Sequence, residues 1–284
     1  MTGRSAVLLT MTLGVVAIGA NAKLRMAEIA AGVWGEPALA EKLLEQAALL
    51  KKKFNQYFWI DSKGYFALGL DKDKNQIDSL ASSNGQLLWS GIVADDKIPS
   101  IIEHLASENL YNGWGVRTLS KDSGGYNPVA YHRGTVWPHD NSLIAAGIFK
   151  SRNKDLALKI IQDIIHASSY FDYRLPEVFA GYDKAVSPFP IEYPTACSPQ
   201  AWAAGTPILF LRLILGLEPD LPTKSFIVNA SLPPKASYIH LDGLAAFGKH
   251  FSIKVTRNTC SVREVSEWSC HQCHQKITGR HSHK

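Results

Sequence analysis

The stretch from Tyr111 to Asn141 combines aromatic, basic and amide side chains in a segment that glycines and a proline keep from forming regular structure. This combination suits sugar binding. Aromatic faces stack against the C–H groups of a pyranose, while Arg, His, Asp and Asn side chains pair with its hydroxyls. A polar interhelical loop with structural aromatics is the alternative interpretation, and composition alone leaves both open.

A carboxylate that could do acid–base chemistry stands further along, at Glu177. It lies between Pro176 and Val178 in a predicted loop, and apolar neighbours of this kind favour partial burial of a carboxyl group. The alternative is a structural glutamate that pairs with Arg133 or Arg174. The sequence offers two further carboxylates as candidates, Asp140 and Glu192.

Other elements must position these segments, and the sequence predicts that those elements are helices. Apolar residues recur at helical spacing over 22–34 and 39–59, and further helices are predicted at about 82–93, 96–107, 138–151, 153–170 and 198–215. A hairpin-like excursion interrupts them over 60–77, and short β-type runs follow Leu217. We therefore expect an all-α toroid or solenoid with a small C-terminal β appendage.

Composition shifts divide the chain into four predicted regions: an apolar leader (1–20), a helical body (21–217), a β appendage (218–257) and a disordered basic Cys/His tail (258–284). The apolar run 6–19 is too short to span a bilayer as a helix. It fits either a signal peptide or a segment foreign to the fold. We expect a cytoplasmic protein, whereas a true signal peptide in residues 1–22 would make it a secreted one.

The formal net charge of +5 does not indicate a nucleic-acid partner, because the basic clusters do not interleave with aromatic residues. We also expect no membrane association. The tail segment Cys270–His274 matches the C-x-x-C-H pattern of haem attachment, and zinc is also conceivable there. No haem-binding domain surrounds it, so we interpret the match as chance and expect no metal and no cofactor.

Five segments together resemble the bacterial amylo-α-1,6-glucosidase and glycogen-debranching-like family, which is related to mannosylglycerate hydrolases and the wider six-hairpin glycosidases. They are SLASSNGQLLWSGI (79–92), GWGVRTLS (113–120), YNPVAYHRGTVWPHDNSLIAAG (126–147), RLPEVFAGY (174–182) and YPTACSPQAWAAGTP (193–207). Their order and spacing are those of the family, and the resemblance covers about 21–255.

The resemblance implies a partial (α/α)6 toroid and hydrolysis of an α-glucosidic bond with inversion. It assigns Glu177 as the general base, which in an inverting enzyme stands roughly 6.5–9.5 Å from the general acid. It further implies that oligosaccharides, polysaccharides or small glucosides bind to a group of side chains: Trp114, Arg117, Tyr131, His132, Arg133, Trp137, His139 and Asp140.

The resemblance also raises an expectation about what the chain lacks. The family's general acid lies in an earlier segment, for which the matching text leaves no room. We therefore expect the chain alone to be inactive and to need a separately encoded N-terminal half. Two alternatives stay open, a non-catalytic carbohydrate-binding remnant and a truncated gene product.

Overall fold

The structure is a computed structural model that describes residues 3–265, with side chains from Val16 onward. The chain divides into two compact units, Met1–Leu213 and Ile214–Lys284. The first is helical and carries the loops singled out above. The second is built from β-strands. The boundary lies a few residues before the expected one at 217.

The first unit begins with a helical hairpin. Helix α1 (Gly3–Ile29) continues into one π-helical turn (Ala30–Trp34), and α2 (Pro37–Tyr57) follows with a proline in its first turn. Helix α1 crosses the expected boundary at residue 20 without a break. Small buried alanines form a cluster where these elements meet: Ala27, Ala30 and Ala40. Among the described residues, no helix is long and apolar enough to cross a membrane.

A short strand pair, β1 (Trp59–Ile60) and β2 (Tyr65–Phe66), follows α2 where a hairpin-like excursion was predicted. The remaining helices are α3 (Ser83–Ser90), α4 (Ile98–Ala106), α5 (Pro138–Lys150), α6 (Lys154–Ser168), α7 (Ala201–Ala204) and α8 (Thr206–Leu215). All of them fall within the predicted ranges, which confirms the helical periodicity of the body.

Two glycines bring α3 and α5 into close contact. A Cβ atom at Gly85 would lie 2.7 Å from Cγ1 of Ile144, and one at Gly147 would lie 2.5 Å from the backbone nitrogen of Trp89. Any larger residue would push the helices apart. The glycines therefore fix the spacing of the two helices whose first turns face the site.

Two buried asparagines tie extended segments to the starts of these helices. Asn84 accepts a hydrogen bond from the backbone nitrogen of Phe66 and donates to its oxygen, and Asn141 does the same with Val116. Each side-chain amide pairs with the N–H and the C=O of one residue, as a neighbouring β-strand would, and so satisfies two buried backbone groups. The same device thus anchors one loop at α3 and another at α5.

The long connections around α5 and α6 pair with one another through isolated β-bridges. Arg117 pairs with Val136, Val136 with Phe179, and Phe179 with Glu192. Val136 and Phe179 are fully buried. These bridges draw the segments around 117, 136, 179 and 192 into one irregular layer, which positions the candidate site.

The second unit contains an antiparallel pair, β3 (Leu217–Asp220) with β4 (Ser225–Val228), and an antiparallel sheet of β5 (Tyr238–Ala246), β6 (Lys249–Thr256) and β7 (Cys260–Val265). The prediction of disorder from residue 258 is wrong for β7, because pairing with β6 orders it. Residues 266–284, which include Cys270 and Cys273 of the C-x-x-C-H pattern, lie outside the described residues.

Candidate functional site

Glu177 lies in an extended segment held from both sides. The backbone of Phe179 exchanges two hydrogen bonds with Val136, at 2.9 and 3.0 Å, and the backbone nitrogen of Glu177 donates to the oxygen of Cys197 at 2.9 Å. Leu175 and Val178 are buried, whereas Glu177 itself is only half-buried. The segment thus anchors its apolar residues and leaves the carboxylate partly open.

Two neutral groups donate to the Glu177 carboxylate. The Tyr131 hydroxyl lies 2.5 Å from Oε1, and the backbone N–H of Cys197 lies 3.4 Å from Oε2. Within residues 3–265 the carboxylate forms no salt bridge with Arg133 or Arg174. The interpretation of Glu177 as one half of a structural ion pair is therefore wrong for the described part of the chain.

Tyr131 is held in position by other rings. Its centroid lies 4.6 Å from those of His132 and Trp137, both edge-on, and 5.7 Å from that of Tyr193. Burial raises the pKa of Tyr131, and the hydrogen bond to Glu177 raises it further. The hydroxyl therefore stays protonated and remains a donor to the carboxylate.

A continuous layer of rings extends from Tyr131. His132 stacks on Trp137 with the planes 11° apart and the centroids 5.1 Å apart. Trp137 meets His139 edge-on at 5.5 Å, and His139 stacks on Trp202 at 4.1 Å with the planes 18° apart. The indole nitrogen of Trp137 donates to the backbone carbonyl oxygen of Tyr131 at 3.0 Å, which ties the ring to the loop backbone. We call Tyr131, His132, Trp137, His139 and Trp202 the ring layer.

Asp140 stands in the first turn of α5, where a helix favours negative charge. It is 5% exposed, and its two carboxylate oxygens accept hydrogen bonds from Ser82, at 2.6 Å, and from Gln86. Asp140 thereby fastens α3 to α5 at the side of the site. Both of its oxygens have protein donors.

The histidines of the ring layer are kept neutral by their surroundings. Burial lowers the pKa of His132 and His139, and the negative charges of Asp140 and Glu177 oppose the shift without cancelling it. A neutral imidazole offers one donor and one acceptor, which suits a sugar hydroxyl.

Two residues expected at the site lie elsewhere. Arg117 has no exposed surface: its guanidinium donates to the oxygens of Gly181 and Glu108 and pairs with Asp183. Trp114 is 1% exposed and packs beneath the ammonium of Lys184, 4.1 Å from the ring centroid. Because such buried side chains cannot contact a sugar in this arrangement, the expectation for Trp114 and Arg117 is corrected.

Arg117 still stabilises the site, because its hydrogen bond to the backbone oxygen of Gly181 anchors the segment that carries Glu177. A Cβ atom at Gly181 would lie 1.6 Å from the backbone oxygen of Gly134. The Glu177 segment and the loop that carries Tyr131 therefore touch backbone to backbone at this point. Arg133, also expected at the site, is half-buried in the same loop, one residue before Gly134.

The sequence did not single out several residues that complete the site: Ser82, Gln86, Tyr193, Cys197 and Trp202. All five lie inside the family-like segments quoted above, but only tertiary contacts show their part in the site. Trp202 is the most informative of them, since 66% of its surface is exposed although its ring is held by His139. Among the described residues, no cluster of His, Cys, Asp or Glu side chains could hold a metal ion.

Comparison with known protein families gives one match. Residues 9–183 match the family described as mannosylglycerate hydrolase MGH1-like glycoside hydrolase domain. A search of curated proteins found no match to this chain.

Solved structures show the same fold at low identity. A sialidase matches with a TM-score of 0.71 and 12% identity over 90% of this chain and 25% of its own. The GH63 mannosylglycerate hydrolase from Thermus thermophilus in complex with glucose matches with a TM-score of 0.57 and 16% identity over 70% of this chain and 47% of its own. Neutral trehalase Nth1 from Saccharomyces cerevisiae matches with a TM-score of 0.55 and 14% identity over 70% of this chain and 37% of its own.

These matches place the helical unit among the six-hairpin glycosidases. The chain spans less than half the length of each of these solved structures.

Proposed function

Because the chain belongs to the mannosylglycerate hydrolase MGH1-like glycoside hydrolase family, we propose that it carries the general-base part of an inverting glycosidase, with Glu177 as the base. One observation carries this proposal. The half-buried Glu177 carboxylate is oriented by Tyr131 and Cys197 beside a layer of aromatic and neutral imidazole rings.

The hydrogen bonding of Glu177 suits a base that activates water. An ionised carboxylate has about four acceptor positions, and the described residues fill two of them. The rest of the carboxylate can accept a proton from a water molecule. The absence of a paired cation within residues 3–265 leaves that carboxylate free for this step.

Asp140 does not fit the role of general acid. Its two oxygens accept hydrogen bonds from Ser82 and Gln86, and burial keeps it from a leaving-group oxygen. The proposal therefore takes the acid from a part of the fold that the described residues do not contain. That part would be the other half of an (α/α)6 toroid, supplied in the same chain or a separate one, with its carboxyl roughly 6.5–9.5 Å from Glu177.

The proposed substrate is an α-glucosidic carbohydrate, of the kind cleaved by amylo-α-1,6-glucosidases and debranching-like enzymes. Support comes from the sequence segments that resemble that family and from the ring layer, whose faces and neutral nitrogens suit a pyranose. The side chains proposed to contact the sugar are Tyr131, His132, Arg133, Trp137 and His139, with Asp140 holding the start of α5 in place.

The choice of substrate lets the test measure the contribution of the general base without that of the general acid. Fluoride leaves α-glucosyl fluoride without protonation, so the base alone sustains hydrolysis of this compound. We expect the chain to release fluoride from it and to leave maltose uncleaved. Glu177→Gln should reduce fluoride release at least about 100-fold, in the range that loss of a general base costs.

The matched control is Glu192→Gln. Glu192 is an exposed carboxylate whose backbone pairs with Phe179 in the same layer. Its substitution therefore tests whether losing one negative charge near the site is enough to reduce fluoride release. The control variant should release fluoride at the wild-type rate. Equal rates for the Glu177 and Glu192 variants, or no release by the wild type, would overturn the proposal.

A carbohydrate-binding remnant is the second candidate function, favoured by the exposed indole of Trp202. Such a protein would bind glucosides with the same affinity in the wild type and in Glu177→Gln, and it would release no fluoride. The two measurements together therefore decide between catalysis and binding.

A further inference from the structure

The ring of Trp202 lies at the outer end of the ring layer, and most of its surface is open. We propose that Trp202 is the platform for a second sugar ring, so that the site takes a substrate of at least two units. This inference rests on the proposed function and extends it, since it names a subsite beyond the sugar that Glu177 serves.

Continuity with the base is the first argument. Glu177 bonds to Tyr131, Tyr131 packs against Trp137, Trp137 against His139, and His139 against Trp202. Each step joins directly contacting groups. The indole is therefore connected to the reacting carboxylate through an unbroken series of packed rings.

The way the indole is held is the second argument. The Trp202 side chain is 66% exposed, yet one face is stacked on His139 with the planes 18° apart. A large apolar ring gains little from such exposure in the absence of a ligand. A ring already fixed by stacking loses little side-chain entropy when a ligand covers its free face.

Comparison with other exposed aromatic residues is the third argument. Trp34 is exposed to a similar degree, 55%, but it lies in the π-helical turn after α1 and has no ring partner in the described part of the chain. Trp202 differs in being stacked and in being joined to the site. Exposure alone is therefore not the basis of the assignment.

The chemistry of the platform defines its ligand. The free face of an indole accepts the C–H face of a pyranose and has no charge to recognise an anionic group. His139, on the other face, is kept neutral mainly by burial. The second unit is therefore an uncharged hexose, and the ligand class is a neutral disaccharide or a longer glucan.

The test compares ligands of one and two rings. Isothermal titration of the full chain would use methyl α-glucoside as the one-ring ligand, and isomaltose and maltose as the two-ring ligands. We expect the wild type to bind at least one of the two disaccharides, isomaltose or maltose, more tightly than methyl α-glucoside. Trp202→Ala should weaken that disaccharide about tenfold, equivalent to about 1.4 kcal/mol, and leave methyl α-glucoside unchanged.

Two further variants keep the test decisive. Trp202→Phe retains an aromatic face and should restore most of the disaccharide affinity, while Trp34→Ala should bind like the wild type. Circular dichroism should give Trp202→Ala a cooperative thermal transition like that of the wild type, which shows that the variant is folded.

The outcomes separate this inference from the proposed function. If a folded Trp202→Ala kept the wild-type preference for the disaccharide, the platform would be excluded, and the base assignment would stand as long as the wild type released fluoride. If Trp202→Ala lost fluoride release together with disaccharide binding and Trp202→Phe did not recover them, the ring would be a structural support and the platform would also be excluded. A wild-type chain that bound no sugar and released no fluoride would overturn both.

Discussion

The hydroxyl of Tyr131 donates a hydrogen bond of 2.5 Å to Oε1 of Glu177, across 46 residues of sequence. The loop that carries the aromatic residues and the loop that carries the carboxylate therefore form one site. Tyr131 is itself wedged among His132, Trp137 and Tyr193, so the position of the base depends on the packing of the ring layer.

Removing this hydroxyl tests its positioning role. A hydrogen bond to a charged group contributes about 1.5–3 kcal/mol, so Tyr131→Phe should slow fluoride release from α-glucosyl fluoride by about 10- to 100-fold. The loss should lie in kcat rather than KM, because the ring that contacts the sugar remains. A purely structural role would predict an unchanged kcat in folded protein.

The close approach of Gly181 and Gly134 gives a second prediction. Gly181→Ala would force a methyl group against the Gly134 oxygen, 1.6 Å from its ideal Cβ position, and must separate the two loops. We expect a loss of stability of about 2–4 kcal/mol and loss of fluoride release.

Gly124 provides the control for that substitution. A Cβ atom there meets nothing within 4 Å, and the residue is exposed. Gly124→Ala should leave chemical denaturation and activity unchanged. Equal stability of the two alanine variants would show that the loops can separate without cost.

The ion pair between Arg117 and Asp183 gives a third prediction. Arg117 is fully buried, while the Asp183 side chain is 32% exposed and also pairs with Lys121 at 3.0 Å. Asp183→Asn leaves a buried guanidinium without its counter-charge, so we expect a loss of about 2–4 kcal/mol in urea denaturation, partly reduced by solvent access. Asp96→Asn, which removes an exposed partner of Lys97, should cost less than about 1 kcal/mol.

The ion pair between Arg117 and Asp183 also makes the stability of the fold depend on pH in the acid range. Partial burial opposes ionisation of Asp183, but hydrogen bonds from Lys121 and Arg117 outweigh it and lower the pKa of this carboxyl. A lowered folded-state pKa contributes stability above the unfolded pKa and loses it as pH falls through the folded value. Asp183→Asn should therefore flatten the stability profile below about pH 4, which a denaturation series in acid would show.

The neutral histidines predict a separate effect at milder pH. Burial lowers the pKa of His132 and His139, so the unfolded chain binds protons more readily than the folded one. Stability should therefore decline as pH falls from about 6.5, the ordinary histidine pKa, through the lower folded values. The double variant His132→Gln and His139→Gln should show less decline over that range.

His240→Gln is the comparison for the histidine variants, since that ring is exposed in the second unit. It should leave the slope of stability against pH unchanged. A double variant with the wild-type slope would show that the two buried imidazoles do not govern this dependence.

The sequence predicted the helices well, because helical periodicity is a strong local signal, and the residues that it marked around Tyr131 and at Glu177 lie together in the structure. Helical periodicity located α2 to α6, and the unusual mixture of rings, imidazoles and glycines marked the loop around Tyr131. Glu177 stood out because a charged residue lay among apolar neighbours. The hydrogen bond between Tyr131 and Glu177 shows that the two loops meet.

Other parts of the site depend on tertiary packing. Trp114 and Trp137 occur in similar loop sequences, but only the fold decides that the ring of Trp114 packs against Lys184 instead of a site residue. Trp202 lies in a segment that the sequence predicts as an ordinary helix, since one aromatic residue among alanines gives no sign of stacking on His139. Strand β7 has no alternation of its own and is ordered by pairing with β6.

The anomer released from α-glucosyl fluoride tests the central claim most directly. If Glu177 is the base of an inverting reaction, proton NMR at early times should show β-glucose from the wild type and no enzymatic glucose from Glu177→Gln. Release of α-glucose first, or of β-glucose at an undiminished rate from Glu177→Gln, would contradict the account.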